Sequence, residues 1–230
     1  MRSPDDVLQD LERDRQQREA EIRLIENLAT LSASDAERNM LRRSLVLLAY
    51  AHLEGFCKFA LFAYAAAVNE VRLPCREAAT PLVAATLTKV FAALRETNSK
   101  HPVFARDLPD DRKLHLAARE QRFVEDFDTI TATLVEIPDQ VVDTESNLKA
   151  AVLKRNLFRL GLNYPVVEPH GGTLNRLLGV RNAIAHGDAL MVPKEQELRD
   201  YLMAAFAIMG VVQSEIYDAL RRGAYRRPAA

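Results

Sequence analysis

Residues 34–70 read SDAERNMLRRSLVLLAYAHLEGFCKFALFAYAAAVNE, and how this stretch folds decides how the chain folds. Ser34 and Glu37 have the spacing of a capping box, in which the serine hydroxyl and the glutamate satisfy two otherwise orphaned N–H groups. Leu41, Leu45, Leu48, Leu53, Phe56, Phe59 and Phe62 then spread apolar surface over a wide face. A helix of that kind belongs in the middle of a core. The spacing therefore predicts one long central helix over 35–70, with Pro74 closing the linker behind it.

On its N-terminal side, Ser3-Pro4-Asp5-Asp6 starts a helix: a capping serine, proline in the first turn, then two acids against the dipole. That helix runs to about residue 31. Between Glu12 and Glu21 it is almost wholly polar, so it is expected to be an arm docked only in part. On the C-terminal side, 81–97 reads as a helix and 98–111 as a loop with two prolines. Residues 114–136 make one or two helices, or include a short strand at 130–135. Ser146 or Asp143 can cap a helix ending at Leu160, stopped by Gly161. His170-Gly171-Gly172 reads as a loop, Thr173 as the cap of a helix over 174–186 stopped by Gly187, and Pro193 as the start of a last long helix. The expected fold class is all-α, a helical bundle with an N-terminal arm and a less regular middle insertion. Its division would be an arm at 1–33, a bundle at 34–222 and a basic tail at 223–230.

Composition excludes several functions. With 230 residues, 48% hydrophobic and 27% charged, the chain is neither disordered nor a disulfide framework. It has only 8 glycines and no GxGxxG or GxxxxGK[ST] string, which argues against a phosphate-cradling glycine loop. The longest uncharged stretch, 201–214, is shorter than the roughly 18 apolar residues of a membrane span. No membrane partner is expected, and MRSPDDVLQD is no secretory signal. Cys57 and Cys75 form neither a framework nor a zinc pattern. A cytoplasmic location and no metal or cofactor are the expectations. The net charge of −1 does not advertise nucleic-acid binding, but charge is uneven: Lys149, Lys154, Arg155 and Arg159 mark one basic stretch and Arg221, Arg222, Arg226 and Arg227 another.

Chemistry concentrates in LNRLLGVRNAIAHG, residues 174–187. On a helix Asn182 and His186 are four apart and share a face. Arg181 lies about 140° round from His186, within the swing of a long guanidinium. A histidine moves protons near neutral pH, and an arginine grips a phosphate and stabilises charge developing on it. With an RNA 2′-hydroxyl as internal nucleophile, the set suits phosphodiester cleavage without a metal. The same residues also fit ordinary helix-end chemistry, with His⁺ at the negative end of the dipole and glycine in the left-handed position. Glu54 stands inside an otherwise apolar helix, sharing a face with Tyr50 and Lys58. It either pairs with Arg181 or His186 or makes an exposed ion pair with Lys58.

RNxxxH, present as Arg181-Asn182-Ala183-Ile184-Ala185-His186, is the motif of the HEPN superfamily of helical RNases and nucleotide-binding modules. LLAYAHLEGFCKFAL (47–61), ESNLKAAVLKRNLFRLGL (145–162) and LLGVRNAIAHG together resemble the MAE-type prokaryotic HEPN-like nucleases. The resemblance implies Arg181 and His186 as the catalytic pair, with Asn182 orienting them and Glu54 assisting. It implies a homodimer in which two motifs face one cleft, RNA as substrate, and a metal-independent endoribonuclease. Such enzymes serve as toxins or effectors in toxin–antitoxin, restriction or anti-phage systems, which adds an antitoxin or defence-system protein as a partner. Asp188 stands where one regulated branch has a tyrosine, so control through that tyrosine is not expected. Lys154, Arg155, Arg159 and Arg176 are the candidate RNA-binding cations, or simply the charges of amphipathic surface helices. The competing expectation is a non-catalytic module of the same fold that binds RNA, nucleotide or a partner protein.

Overall fold

A computed structural model describes residues 2–228. Its first helix, α1 (Pro4–Leu31), begins as its sequence dictates. Ser3 Oγ accepts from the Asp6 N–H at 3.1 Å and the Asp6 carboxylate accepts from the Ser3 N–H at 2.9 Å, closing a capping box with aspartate in the glutamate position. The box expected at Ser34 does not form. Ser34 makes no side-chain cap, because Glu37 is taken by the Ser32 hydroxyl at 2.7 Å. The helix behind it, α2 (Asp35–Glu70), nonetheless has the predicted limits and buries Leu45, Leu53, Phe56, Leu61 and Tyr64 among others.

α2 is the hub. α1, α8 (Glu168–Ala185) and α9 (Glu195–Arg221) pack on it, and α7 (Ala150–Arg159) touches its flank. Both α2 and α9 contain windows long and apolar enough to cross a bilayer, and half of each window is buried inside this bundle. α1 is not the half-docked arm its polar stretch suggested. Val7, Leu11, Ile22 and Ala29 are buried against α2 and α9. Arg15 and Arg18 lie between them, only partly exposed, each already neutralised within the helix by Glu19 at 3.1 Å and Asp14 at 2.6 Å. Arg18 rests on Gly55, where any Cβ would stand 2.7 Å from its guanidinium. A Cβ at Gly210 on α9 would stand 3.8 Å from Arg15, an ordinary contact. Gly55 thus lets a charged helix lie close to an apolar one.

The middle region holds α3 (Thr80–Thr86), α4 (Thr88–Arg95), α5 (Arg112–Glu125) and α6 (Phe127–Ala132). One helix was expected over 81–97. It breaks at Leu87, where Thr86 and Thr88 turn their hydroxyls back onto the carbonyls of Leu82 and Ala85. The strand considered at 130–135 is reduced to a single bridge between Pro74 and Leu134. Two asparagines tie the extended segment that follows. Asn69 both donates to and accepts from the Ile137 backbone, at 3.2 and 2.7 Å, and buried Asn156 does the same for Asp143. A carboxamide here copies the donor–acceptor pair of a neighbouring strand.

Near the site, α7 starts later than Ser146 or Asp143 would have set it. Its first N–H, from Ala150, is accepted by Asn175 Oδ1 of α8 at 3.0 Å, so the cap comes from another helix. α8 in turn starts earlier than expected and runs through His170-Gly171-Gly172. Gly171 is buried, and a Cβ there would stand 3.1 Å from that of Ala150, so this glycine serves close helix packing rather than a loop. The basic tail is not free either: Tyr225 is buried and Arg226 bridges to Ala78.

Several protons are held in this core. Burial pushes the Tyr50 phenol and the Cys57 thiol up to about 12, and raises Tyr64 further still. An unfolded chain releases these protons near 9 to 10, so the folded state binds more of them above that pH and stability must fall as pH rises. Melting temperatures measured from pH 8 to 11 are expected to drop progressively from about pH 9. A flat profile would contradict this assignment of the buried phenols.

Candidate active site

α8 delivers the motif. Leu174, Leu177, Leu178 and Ile184 turn inward, which leaves Asn175, Asn182 and Arg181 toward the rim of the bundle. Arg181 Nη1 donates to Asn182 Oδ1 at 2.8 Å, and the guanidinium lies over the Tyr50 ring of α2, 4.7 Å from its centroid. Tyr50 is wholly buried. Its hydroxyl sits beside the Glu54 carboxylate and the Leu148 backbone without a hydrogen bond of ordinary geometry to either. The aromatic platform and the Asn182 amide together hold Arg181 in one orientation.

His186 is the C-cap of α8. The end of the helix is a Schellman turn: Asp188 N–H donates to Ala183 O at 3.0 Å and Gly187 N–H to Ile184 O at 3.1 Å, with Gly187 at φ 91°. The loop beyond is pinned by Arg43 of α2, whose Nη1 donates to the carbonyls of Asp188 at 2.6 Å and Met191 at 3.1 Å. The Asp188 carboxylate accepts from the N–H groups of Leu190 and Met191. The imidazole itself is exposed and, among the described residues, makes no side-chain hydrogen bond or ion pair. His186 therefore has a fixed backbone and a free ring. Gly187→Ala should strain this turn by about 1–2 kcal/mol. The expected result is a lower melting temperature together with a cleavage loss larger than that destabilisation explains, since the turn sets where the imidazole stands. Equal stability to wild type would overturn the argument.

The expected residues thus meet only in part. Arg181 and Asn182 are joined directly, and Glu54 belongs to the same patch through Tyr50, but no ion pair links Glu54 to Arg181 or His186 among the described residues. Lys154 is engaged by Glu168, Arg155 by Glu145, and Arg159 by the carbonyls of Gln140 and Val141, so these three brace the fold around α7. Arg176 is exposed and bonds only to Thr173 Oγ1, at 2.9 Å. His52 of α2 lies at the α1 interface, with Nε2 3.0 Å from Glu21. Tyr50, Arg43 and Asn175 escaped sequence reasoning as parts of the site. The clue for Tyr50 was its place four residues before Glu54. Arg43 and Asn175 left none, since their partners lie far off in the chain, in the loop after α8 and at the start of α7.

Beside Asn182 a recess of about 530 Å³ opens between α8 and the segment leading into α7, lined by Asn147, Lys149, Asn175, Gly179 and Asn182 among others. A motif able to grip phosphate thus sits at the edge of a recess that carries amides and a lysine among apolar surface.

A family model described as RiboL-PSP-HEPN matches residues 13–218, from the first half of α1 to the last turns of α9. No curated protein and no solved structure matches the chain. The superfamily is the one that RNxxxH indicated. With an all-α bundle, an RNxxxH motif at the end of a rim helix and a match over most of its length, the chain belongs to the RiboL-PSP-HEPN family of the HEPN superfamily.

Proposed function

We propose that this chain, a nuclease-like or RNA-binding module of the HEPN superfamily, is a metal-independent endoribonuclease that cleaves RNA at the α8 motif. One observation carries this reading: Arg181 is held ready on Tyr50 and Asn182, while His186, at the end of the same helix, keeps an unengaged imidazole. Arg181 binds the scissile phosphate and stabilises the charge that builds on it. The RNA 2′-hydroxyl attacks phosphorus, the 5′-oxygen of the next nucleotide leaves, and a 2′,3′-cyclic phosphate and a 5′-hydroxyl result. The attack needs a base and the departure an acid. One chain offers one such histidine at the motif, so a homodimer with two motifs across one cleft supplies both. An enzyme of this kind fits a toxin or effector role in a toxin–antitoxin, restriction or anti-phage system, with a partner protein that restrains it.

A second reading has its own support. Arg181 is already bonded within the fold and does not contact the His186 ring, which suits a binding module in which RNxxxH is structural. Catalytic contacts commonly tighten only with substrate in place, so the apo arrangement alone does not decide. The deciding experiment is incubation of total cellular RNA in EDTA with purified wild type beside His186→Ala. Cleavage by the wild type alone supports the nuclease. Cleavage by neither, with RNA retained, supports the binding module.

A further inference from the structure

The recess beside Asn182 has a chemical polarity that the family and the motif do not explain. Asn175 Oδ1 accepts from a backbone N–H and Asn182 Oδ1 from a guanidinium. Both of those partners can only donate, so the two amides are oriented without ambiguity: each oxygen already accepts one bond, and both NH2 groups remain for a ligand. Lys149, on the same wall, adds an ammonium. The carboxylate on the rim, Glu145, is drawn off by Arg155. The hollow therefore offers donors.

Its floor is as informative. Gly179 lies in the fourth turn of α8, four residues from Asn175 and three from Asn182, on their face. A glycine within a helix weakens it. Nothing in the fold asks for this one: a Cβ at Gly179 would meet nothing within 4 Å, unlike the one at Gly171, which would meet Ala150 at 3.1 Å. The bare backbone faces the open hollow. Asn175 and Asn182, seven residues apart, are separated by about 10 Å along the helix axis. That is the scale of one nucleotide from its phosphate to the far edge of its base.

We infer that this recess is the base-binding subsite of the site proposed above, taking a keto base, guanine or uracil, flat against Gly179. The phosphate then falls to Arg181 and Asn182, and the carbonyl edge of the base to Asn175 and Lys149. The exocyclic amino groups of adenine and cytosine would face donors with donors. The inference rests on the nuclease reading for its biological sense, but not for its measurement. Nucleoside 3′-monophosphates bind without being cleaved.

The test is a ¹H–¹⁵N NMR titration of the full chain with the four nucleoside 3′-monophosphates and with inorganic phosphate, following the side-chain NH2 signals of Asn175 and Asn182. The guanosine and uridine nucleotides are expected to shift both signals, and the adenosine and cytidine nucleotides to bind at least tenfold more weakly. Gly179→Leu should fill the hollow and weaken the preferred nucleotides at least tenfold without lowering the melting temperature. Asn175→Asp keeps the oxygen that caps Ala150, replaces the donor by an acceptor, and should do the same. Equal binding of all four nucleotides, an Asn175 shift from phosphate alone, or unchanged affinity in both variants would overturn the subsite. RNA cleavage in EDTA would still stand in that case. Selective nucleotide binding without any cleavage would instead leave the subsite and remove the nuclease.

Discussion

Replacing His186 with alanine is expected to lower RNA cleavage by about 10²–10⁴-fold while moving stability by no more than about 0.5 kcal/mol. Both halves of the expectation come from the same geometry. The His186 backbone is set by the Schellman turn around Gly187 and by Arg43 beyond it, none of which needs the imidazole. The ring is exposed and has no side-chain partner among the described residues, so its removal leaves no cavity and no orphaned group. What disappears is the proton carrier. Parallel assays of cleavage and thermal unfolding separate the cases. A folded, inactive variant supports the catalytic role, a folded variant of wild-type activity sinks it, and an unfolded one makes the motif structural.

The second large effect is on the scaffold. Phe56→Ala should cost about 3–5 kcal/mol, the range for removing a buried aromatic from a packed core. Phe56 is fully buried on α2, and α2 is flanked by α1, α8 and α9, so little freedom remains for the core to close over the space left behind. Whole domains are stable by only about 5–15 kcal/mol, so this one change removes a large share. At about 2–4 °C per kcal/mol for a chain of this size, the melting temperature should fall by about 6–20 °C. A loss below about 1 kcal/mol would mean that α2 is less central than its burial indicates.

What the sequence disclosed divides along a physical line. Features written into neighbouring residues were legible. The Ser-Pro-Asp start and the long apolar run gave α1 and α2 their limits, and RNxxxH marked the rim helix and its family. Features made by residues distant in the chain were not. A polar stretch in α1 reads as solvent-facing because its arginines are charged, but Asp14 and Glu19 neutralise them locally and Gly55 makes room. The cap of α7 belongs to Asn175, twenty-five residues further on. Gly171 and Gly172 read as a loop because glycine usually marks one, although here close approach to Ala150 is the reason for the first. The candidate RNA-binding cations Lys154, Arg155 and Arg159 also meet Glu168, Glu145 and backbone carbonyls, pairings that no composition can reveal. Tyr50 became part of the site only through a ring contact across two helices.

The packing of α1 and α9 on a shared α2 also has a consequence for synthesis. Tyr217 donates to Asp5 across 212 residues, and α2 cannot cover its apolar faces until α8 and α9 exist. Contacts so distant form late, because the intervening chain must first be closed into a loop. At roughly 5–20 residues per second, the ribosome needs roughly 8–30 s to travel from the end of α2 to the end of α9. Through that interval the nascent chain carries an exposed greasy helix, which makes it a client for chaperones.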